Sequence, residues 1–318
     1  MALPDGPLTG SGVPRIGLGL AALGRPAYIT LGRAADLPAA RTVDAMEART
    51  HQVLDAAWDA GVRYVDCARS YGLSERFLGS WLAAHPGRRE RLVVGSKWGY
   101  RYVGEFLMDA PVHEVKEHSV AVLDEQWPQT VAALGGPPDV YLVHSATVDS
   151  PALSDPGILA RMAELASGGV RVGFSTSGPR QGDAIDLALR TDGSPYRAVQ
   201  STWNLLEPSA GPALVRAHDA GWLVVVKEAL ANGRLTADGA GPVLRQRAAQ
   251  DGQTPDAYAI GRVLSRPFVD LVLSGAVTPG QLASNLAARP PRSSVPDPAD
   301  LAEPPGHYWA ERSARPWS

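Results

Sequence analysis

The sequence predicts an α/β fold in which eight parallel strands close into a barrel, a TIM-type (β/α)8 barrel that forms a single domain. Short apolar runs alternate with segments of helical period over almost the whole chain. Eight such units in about 290 residues suit a closed barrel. No G-x-G-x-x-G motif opens a helix after a strand, as a doubly wound dinucleotide-binding sheet would require. The predicted domain covers residues 1–318 and ends in a proline-rich tail, residues 289–318.

The predicted strands are runs of apolar or β-branched residues bounded by turn residues. In order they are Ile16–Leu20, Val62–Ala68, Leu92–Trp98, Asp139–His144, Val170–Ser175, Ala198–Asn204, Leu223–Glu228 and Val269–Ser274. The predicted helices are Ala45–Ala60, Ser74–Ala84, His118–Leu134, Ile158–Ser167, Gly182–Leu189, Gly211–Ala220, Thr254–Ser265 and Pro279–Ala288. Gly61, Gly169 and Gly221 each separate a helix from the next strand, where a glycine cap is expected.

Two segments fall outside these units. The loop Arg25–Thr42 follows the first strand, and the tail from Arg289 contains the aromatic residues Tyr308, Trp309 and Trp317. Both are compatible with wrapping the surface. Because the first loop of such a barrel lies at the C-terminal face, Arg25–Thr42 is also compatible with covering a pocket there.

Composition argues against several classes of protein. The net charge is −3 and the cations are scattered, so we expect no nucleic-acid partner. Apolar runs such as Leu223–Val226 are far shorter than the roughly 20 residues of a membrane helix, so we expect no membrane partner. The single cysteine, Cys67, excludes an internal disulfide. These features predict a cytoplasmic protein, a monomer or a small homo-oligomer.

Four reactive side chains lie at or just after the ends of three consecutive predicted strands. They are Asp66, Tyr71, Lys97 and His144. Strand ends meet at one mouth of the barrel, where active sites of this fold lie. Lys97 is also one of only three lysines, with Lys116 and Lys227, in a chain that otherwise uses arginine.

These four side chains predict carbonyl chemistry. A lysine ammonium near a tyrosine stabilises the phenolate, so we expect Lys97 to lower the pKa of Tyr71 and make it a usable acid. Asp66 would keep Lys97 charged and oriented. His144 could bond a carbonyl oxygen and position it for hydride attack.

The four residues stand in the contexts YVDCARSYGLSE, VVGSKWG and VYLVHS, and VGFSTS, VQSTWNL and SGAVTPGQLASN follow. With these motifs the chain resembles the aldo-keto reductase superfamily over nearly its whole length, and the four residues match its catalytic tetrad in order and spacing. The resemblance implies an oxidoreductase that reduces an aldehyde or ketone to an alcohol, with Tyr71 as proton donor, NADP(H) as the favoured cofactor and NAD(H) as an alternative. The cofactor-binding residues that it implies are Gly19, Leu20, Asp66, Ser175, Thr176, Gln200, Lys227, Leu230, Asn232, Gly275, Thr278, Gln281 and Asn285.

The chain departs from the family at two places. Lys227 stands where the family usually has an aromatic residue that stacks on the nicotinamide; it would meet a cofactor phosphate or a substrate anion, or pair with Glu228. Trp98 and Trp203 are candidates for the missing stacking and, with His144, for the substrate pocket. The range 273–288 has no Lys or Arg for a 2′-phosphate, so Arg234 or Arg289 would have to supply that charge.

Two other functions use the same residues. One is an NAD(P)-dependent sugar dehydrogenase or epimerase, and the other is a regulatory barrel that binds cofactor without turnover. The partner is in either case a small molecule, a carbonyl compound or a sugar. We expect no metal site, because the histidines of HEVKEH, His113 and His118, are five residues apart instead of four, and we interpret that segment as a solvated charged face.

Overall fold

Ten strands form the sheets of the described part of the chain, and eight of them build a closed barrel. The computed structural model describes Leu8 and residues 12–29, 36–291 and 299–317. The strands are β1 (Ile16–Gly19), β2 (Tyr64–Asp66), β3 (Val93–Trp98), β4 (Tyr100–Tyr102), β5 (Glu114–Lys116), β6 (Val140–Ala146), β7 (Arg171–Thr176), β8 (Ala198–Thr202), β9 (Leu223–Lys227) and β10 (Leu271–Ser274). The barrel runs β1-β10-β9-β8-β7-β6-β3-β2, with every neighbouring pair parallel. The predicted eight-stranded barrel is confirmed.

Helices surround the barrel. They are α1 (Val43–Asp59), α2 (Ser74–Ala84), α3 (Val120–Leu134), α4 (Pro156–Ser167), α5 (Gln181–Arg190), α6 (Gly211–Asp219), α7 (Pro242–Gln250), α8 (Pro255–Leu264), α9 (Pro279–Leu286) and α10 (Pro305–Ser313). Thr42, Ser119, Asp155, Thr254 and Thr278 each cap a helix by accepting a bond from a backbone N–H of the first turn. Gly61, Gly169 and Gly221 have φ of +84°, +95° and +78°, which confirms their predicted place after helix ends.

Strand alternation divides the side chains of the barrel into two sets. One set fills the interior and consists of Tyr64, Val140, Leu142, Ala198, Leu223, Val225 and Leu271. The other set packs against the helices and includes Val143, Val172, Val199, Val224 and Val272. Residues that differ by an even number from an interior residue on the same strand therefore face the barrel axis. Asp66, His144 and Lys227 have this parity.

Four elements were not predicted from the sequence. Strands β4 and β5 pair antiparallel as a hairpin after β3. Helix α7 buries only Leu244 and Ala248, which leaves little apolar periodicity to detect. Helix α10 lies in the proline-rich tail and buries Tyr308 and Trp309. Residues 30–35 and 292–298, within the first loop and the tail, lie outside the described residues.

The interpretation of residues 113–118 as a solvated charged face holds for Lys116 and Glu117, which are exposed, and is wrong for the two histidines. Glu114–Lys116 is a strand of the hairpin, and His113 and His118 are both buried. His118 contacts the hydroxyl of Ser150 and, through Nε2, the carbonyl oxygen of His144 at 2.9 Å. No helix in the described part of the chain is long and apolar enough to cross a membrane.

Candidate active site

The four predicted catalytic side chains meet at the C-terminal mouth of the barrel. Lys97 Nζ donates a hydrogen bond to Asp66 Oδ2 and another to the carbonyl oxygen of Cys67, at 3.1 Å. The same Nζ lies 4.6 Å from the centre of the Tyr71 ring. The Tyr71 and His144 rings are 5.3 Å apart, edge to face. The structure therefore brings Asp66, Tyr71, Lys97 and His144 into one cluster.

Local backbone structure places each of them. Asp66 is the last residue of β2, and Lys97 is the penultimate residue of the adjacent strand β3. Both side chains face the barrel axis. The turn that carries Tyr71 is fixed at both ends, because Arg69 N donates to the Lys97 carbonyl oxygen at 3.1 Å and Tyr71 N donates to the Ala68 carbonyl oxygen at 3.0 Å. Tyr71 is thereby held over the mouth.

Burial dominates the protonation of the cluster. It raises the pKa of Tyr71 well above its ordinary value, and the Asp66 carboxylate raises it further. The expected lowering of the pKa of Tyr71 is therefore wrong, because burial and the Asp66 charge raise it although Lys97 Nζ lies close to the ring. Burial, followed by the charge of Lys97, keeps the pKa of His144 well below its usual range, so its imidazole is neutral at neutral pH.

His144 is oriented by a residue that the sequence did not single out. Its Nδ1 lies 3.1 Å from the hydroxyl of Ser70, on the same turn as Tyr71. Nε2 of His144 has no hydrogen-bond partner among the residues that the structure describes. That nitrogen is the one able to meet a substrate oxygen.

Arg25, from the loop after β1, lies beside Tyr71 and was also missed. Its guanidinium carbon is 5.2 Å from the centre of the Tyr71 ring, 4.7 Å from that of Tyr28 and 4.5 Å from that of Trp317. Arg25 Nη1 donates to the Glu114 carboxylate of the hairpin. First loop, hairpin and tail thus converge over the tyrosine. The described part of the first loop does contribute to covering the mouth.

A cavity of about 420 Å³ lies next to this cover. Tyr100, Met108, Asp109, His113, Glu114 and Trp317 are among its lining residues. Tyr100 connects it with the tetrad, since its ring lies 4.9 Å from that of His144. Burial raises the pKa of the Tyr100 phenol to about 12, so it is a neutral donor or acceptor there. The cavity is therefore a candidate substrate entrance beside His144.

Lys227 faces the mouth from the end of β9. Its Nζ donates to Thr202 Oγ1 at 3.0 Å and lies 3.8 Å from the Glu228 carboxylate. The same carboxylate receives two hydrogen bonds from Arg312 of α10, from Nε at 2.9 Å and from Nη2 at 2.6 Å. Burial lowers the pKa of Lys227 to about 8 even though Glu228 opposes the shift. Lys227 thus pairs with Glu228 and still borders the site.

Sequence comparison settles the family. Residues 15–292 match the profile of the aldo/keto reductase family. The chain belongs to that family. This places it among the oxidoreductases and agrees with the tetrad at the barrel mouth.

Individual relatives are more distant or match only locally. A D-threo-aldose 1-dehydrogenase from a Pseudomonas species is 53% identical over 49 residues, which is 15% of this chain and 14% of that protein. An aldo-keto reductase from Bacillus halodurans has the same fold with a TM-score of 0.66 and 20% identity, over 94% of this chain and 92% of that one. A glycerol dehydrogenase from Gluconobacter oxydans reaches a TM-score of 0.68 at 20% identity, over 96% and 92% of the two chains.

In this aldo/keto reductase, part of the expected cofactor set faces the mouth. Ser175 and Gln200 are register partners on β7 and β8. Gln200 Nε2 donates to Asp66 Oδ1 at 2.9 Å, which shows that its side chain crosses the interior. Ser175 Oγ accepts from Ser145 N at 2.7 Å. The Gln200 amide and the Ser175 hydroxyl are therefore at the end of the barrel that holds the tetrad.

Thr176 does not join them. As the neighbour of Ser175 it faces outward, and its hydroxyl lies within hydrogen-bond distance of Gln181 Oε1 of α5 at 3.0 Å and of Ser201 Oγ at 2.8 Å. Leu20 is likewise fully buried in the outer apolar layer, so its side chain cannot contact a cofactor, whereas Gly19 lies at the end of β1 with an interior-facing parity. Thr176 and the Leu20 side chain are corrections to the predicted site.

The remaining expected cofactor residues lie around the ends of β9 and β10. Asn232 follows Leu230 and Ala231, has a left-handed backbone like Ala231, and accepts a bond from Arg315 through its carbonyl oxygen. Gly275 follows β10, and Thr278 caps α9. Gln281 accepts from Val277 N at 2.9 Å, and Asn285 donates to Ser274 Oγ at 2.8 Å. These two amides brace the loop between β10 and α9.

Trp98 and Trp203 are not part of the pocket. Trp98 follows the interior-facing Lys97, so it faces outward, and its ring packs 5.9 Å from that of His118 in the outer layer. Trp203 is 4% exposed and packs edge to face against Phe268. Both are core residues, and this corrects their predicted place in the substrate pocket. The aromatic residues at the mouth are instead Tyr28, Tyr100 and Trp317.

One group of described residues has donor atoms close enough for a metal: Glu303, His307 and Glu311. Both carboxylates are already paired with Arg234. The group is an ion-pair cluster that extends from just before α10 to its last turn, remote in sequence from the tetrad.

Proposed function

We propose that this protein is an NAD(P)H-dependent reductase that converts an aldehyde or ketone to an alcohol, with Tyr71 as proton donor. The observation that carries the proposal is the cluster at the barrel mouth, where Lys97 is bonded to Asp66 and lies 4.6 Å from the ring centre of Tyr71, beside the His144 imidazole. An acid and an orienting hydrogen-bond donor side by side are what carbonyl reduction needs from the protein.

The residues present fit a nicotinamide dinucleotide. Space is open at Gly275, where an added Cβ would meet no atom within 4 Å, and the backbone N–H groups at the start of α9 follow directly. A helix start is suited to phosphate, and Gly275, Thr278, Gln281 and Asn285 would form that part of the site. Ser175 and Gln200 would bond the carboxamide. The bound cofactor would supply the hydride.

The chain's own residues handle the proton and the carbonyl. His144 Nε2 would donate a hydrogen bond to the carbonyl oxygen. The imidazole is neutral and so carries a single N–H, which would be on Nε2 for this contact. Tyr71, kept protonated at neutral pH by burial, would transfer its proton to the same oxygen. Asp66 orients Lys97, whose charge favours the phenolate that remains. Nothing in this scheme requires a metal.

NADP(H) is the cofactor that we favour. Arg234 is occupied by Glu303 and Glu311, whereas the Arg289 side chain bonds, among the described residues, the carbonyl oxygens of Asp251 and Gly252 through Nη2. Arg289 is therefore the cation that we assign to a 2′-phosphate. Fluorescence titration with NADPH and NADH tests this, because Arg289→Gln should weaken NADPH by at least about tenfold and leave NADH unchanged. If the wild type bound NADPH and NADH with equal affinity, NAD(H) would be an alternative cofactor.

The proposed reaction is tested by Tyr71→Phe. We expect turnover of the fastest compound in a carbonyl panel to fall by at least about a hundredfold, because general acid catalysis is typically worth roughly 10²–10⁴. Cofactor affinity should stay within a few-fold. Tyr196→Phe is a matched control, since Tyr196 is a buried core tyrosine whose hydroxyl donates to the Ala152 carbonyl oxygen. Activity retained in Tyr71→Phe would remove Tyr71 from the mechanism.

Sugar oxidation is a second candidate. The local likeness to D-threo-aldose 1-dehydrogenase favours it, and so do the polar lining residues Asp109, His113 and Glu114 of the cavity. A panel of aldoses with NADP⁺ and NAD⁺ separates it from carbonyl reduction. Conversion of one sugar epimer to another without net cofactor consumption would indicate an epimerase. Binding without turnover on any compound would indicate a regulatory barrel.

A further inference from the structure

Arg25 is a second cation near the proposed proton donor, Tyr71. It comes from a segment before Tyr71 in the chain, whereas Lys97 comes from the strand after it. It is 2% exposed and its guanidinium carbon lies 5.2 Å from the centre of the Tyr71 ring. Its other bonds fix it in place: Nη1 donates to the Ser70 carbonyl oxygen at 3.0 Å, and Nε donates to the Ala21 carbonyl oxygen at 3.2 Å. Such a charge is buried at a defined position and cannot be screened by solvent as a surface charge is.

The counter-charge of Arg25 is equally well placed. Glu114, on the hairpin strand β5, contacts Arg25 Nη1, and its side chain is 16% exposed. The ion pair therefore joins the loop after β1 to the hairpin, directly beside Tyr71. Neither residue belongs to the tetrad.

The charged and titratable groups around Tyr71 come from five parts of the fold. They are Arg25 and Tyr28 from the loop after β1, Asp66 from β2, Lys97 from β3, Glu114 from β5 and His144 from β6. His144 is neutral. Lys97 contacts Asp66 directly, yet the Asp66 carboxylate still acts on the phenol. The Arg25–Glu114 pair adds two further charges there, one from the loop after β1 and one from the hairpin.

We propose that Arg25 and Glu114 are positioning residues that set the pH range over which Tyr71 exchanges its proton with substrate, Arg25 favouring the phenolate and Glu114 opposing it. The inference rests on the proposed function of Tyr71. It adds an electrostatic control that stands outside the tetrad and reaches the site through the first loop and the hairpin.

Electrostatics agree with this geometry. Burial is the main reason that the pKa of Tyr71 is raised; Arg25 acts to lower it, and Glu114 acts to raise it. A unit charge at this distance from a phenol typically moves its pKa by about 0.5–1.5. The sign differs between the two residues although they form one ion pair, and this difference separates an electrostatic role from a structural one.

The experiment compares Arg25→Gln with Glu114→Gln in the alcohol-oxidation direction, where Tyr71 must be deprotonated and the rate rises with pH. Loss of the Arg25 cation makes the phenolate less stable, so the rising limb should move to higher pH. Loss of the Glu114 charge makes it more stable, so the limb should move to lower pH. We expect displacements of at least about 0.5 pH unit in opposite directions, equivalent to about threefold changes in rate at a fixed pH below the limb.

Both variants break the same ion pair, so a role limited to anchoring the loop would change both profiles alike. Arg25→Lys keeps the charge and should leave the limb near the wild-type position even if the melting temperature falls. Arg216→Gln is the matched control, because Arg216 forms an exposed ion pair with Asp186 between α5 and α6. Arg216→Gln should leave the rising limb of the pH profile at the wild-type position.

The ionisation of Tyr71 can also be followed without measuring turnover. The ultraviolet tyrosinate absorption that Tyr71→Phe removes should appear at higher pH in Arg25→Gln and at lower pH in Glu114→Gln. Profiles that move in the same direction, or not at all, while Tyr71→Phe is inactive would overturn this inference and leave the proposed function intact. Undiminished activity of Tyr71→Phe would instead overturn the proposed function.

Discussion

Glu228 connects the tail to the barrel, and Glu228→Gln should cost the protein much of its stability in a pH-dependent way. The carboxylate is 8% exposed as a side chain and lies between two cations. It accepts from Arg312 of α10 and, at 3.0 Å, from Thr202 Oγ1, with Lys227 Nζ 3.8 Å away. Replacement by the isosteric amide removes the charge and leaves Arg312 and Lys227 buried without their counter-ion.

The magnitude follows from the titration of this group. Burial alone would raise the pKa of Glu228, but Arg312 and Lys227 lower it from 4.5 to about 2. At 1.36 kcal/mol per pH unit, that difference corresponds to roughly 3 kcal/mol of stability. Because the folded-state pKa is depressed, the contribution is complete above about pH 4.5 and is lost as the pH falls toward 2. Removing one partner of a buried pair typically costs about 3–5 kcal/mol, which agrees.

Urea denaturation followed by tryptophan fluorescence measures the effect. At pH 7 we expect Glu228→Gln to lower the free energy of unfolding by about 3 kcal/mol, and near pH 3 the difference from wild type should shrink to less than half of that. Asp186→Asn is the control, since its exposed ion pair with Arg216 should be worth under about 1 kcal/mol. A loss in Glu228→Gln no larger than in the control, or one that does not depend on pH, would refute the reasoning.

Three further outcomes are expected. Lys97→Met leaves Asp66 buried without its cation, so turnover should collapse and thermal stability should fall by about 3–5 kcal/mol at neutral pH; a fully active, equally stable variant would contradict this. Lys227 has a pKa of about 8, so its ammonium should make the cofactor bind more tightly at pH 6.5 than at pH 9. In fluorescence titrations, Lys227→Met should bind the cofactor about tenfold more weakly than wild type at pH 6.5, and its affinity should not change between the two pH values. Trp203→Leu should lower stability by about 2–4 kcal/mol, measured by urea denaturation, and leave KM within about twofold, whereas a large rise in KM would return Trp203 to the substrate pocket.

The barrel was predictable from sequence because its signal is local. Each strand is a short apolar run between turn residues, each glycine cap stands where a helix ends, and eight repeats leave few other architectures. The elements that escaped detection lack that signal. Helix α7 buries only two residues, and α10 lies among prolines and gains its apolar partners from the loops after β8 and β9 and from α7 and α8. The hairpin strands β4 and β5 are three residues each.

Strand parity shows how more of the site could have been predicted. Lys97 and Trp98 are neighbours on one strand, so only one of them can face the barrel axis, and the same holds for Ser175 and Thr176. Once Lys97 is placed inside, Trp98 belongs to the helix-facing layer. This step needs only the sequence and the alternation of a strand, and it would have prevented two of the wrong assignments.

The sequence by itself determined the eight-stranded barrel and the order in which Asp66, Tyr71, Lys97 and His144 reach its mouth, because strand direction and the sequence positions of strand ends are local properties. Only the tertiary structure decided what surrounds them. Arg25 meets Glu114 across 89 residues of chain, and Arg312 meets Glu228 across 84. Such pairings depend on how the first loop, the hairpin and the tail pack over one opening, and no residue spacing encodes that geometry. The pKa of Tyr71 depends on the same packing, because burial by these segments outweighs the lysine beside it.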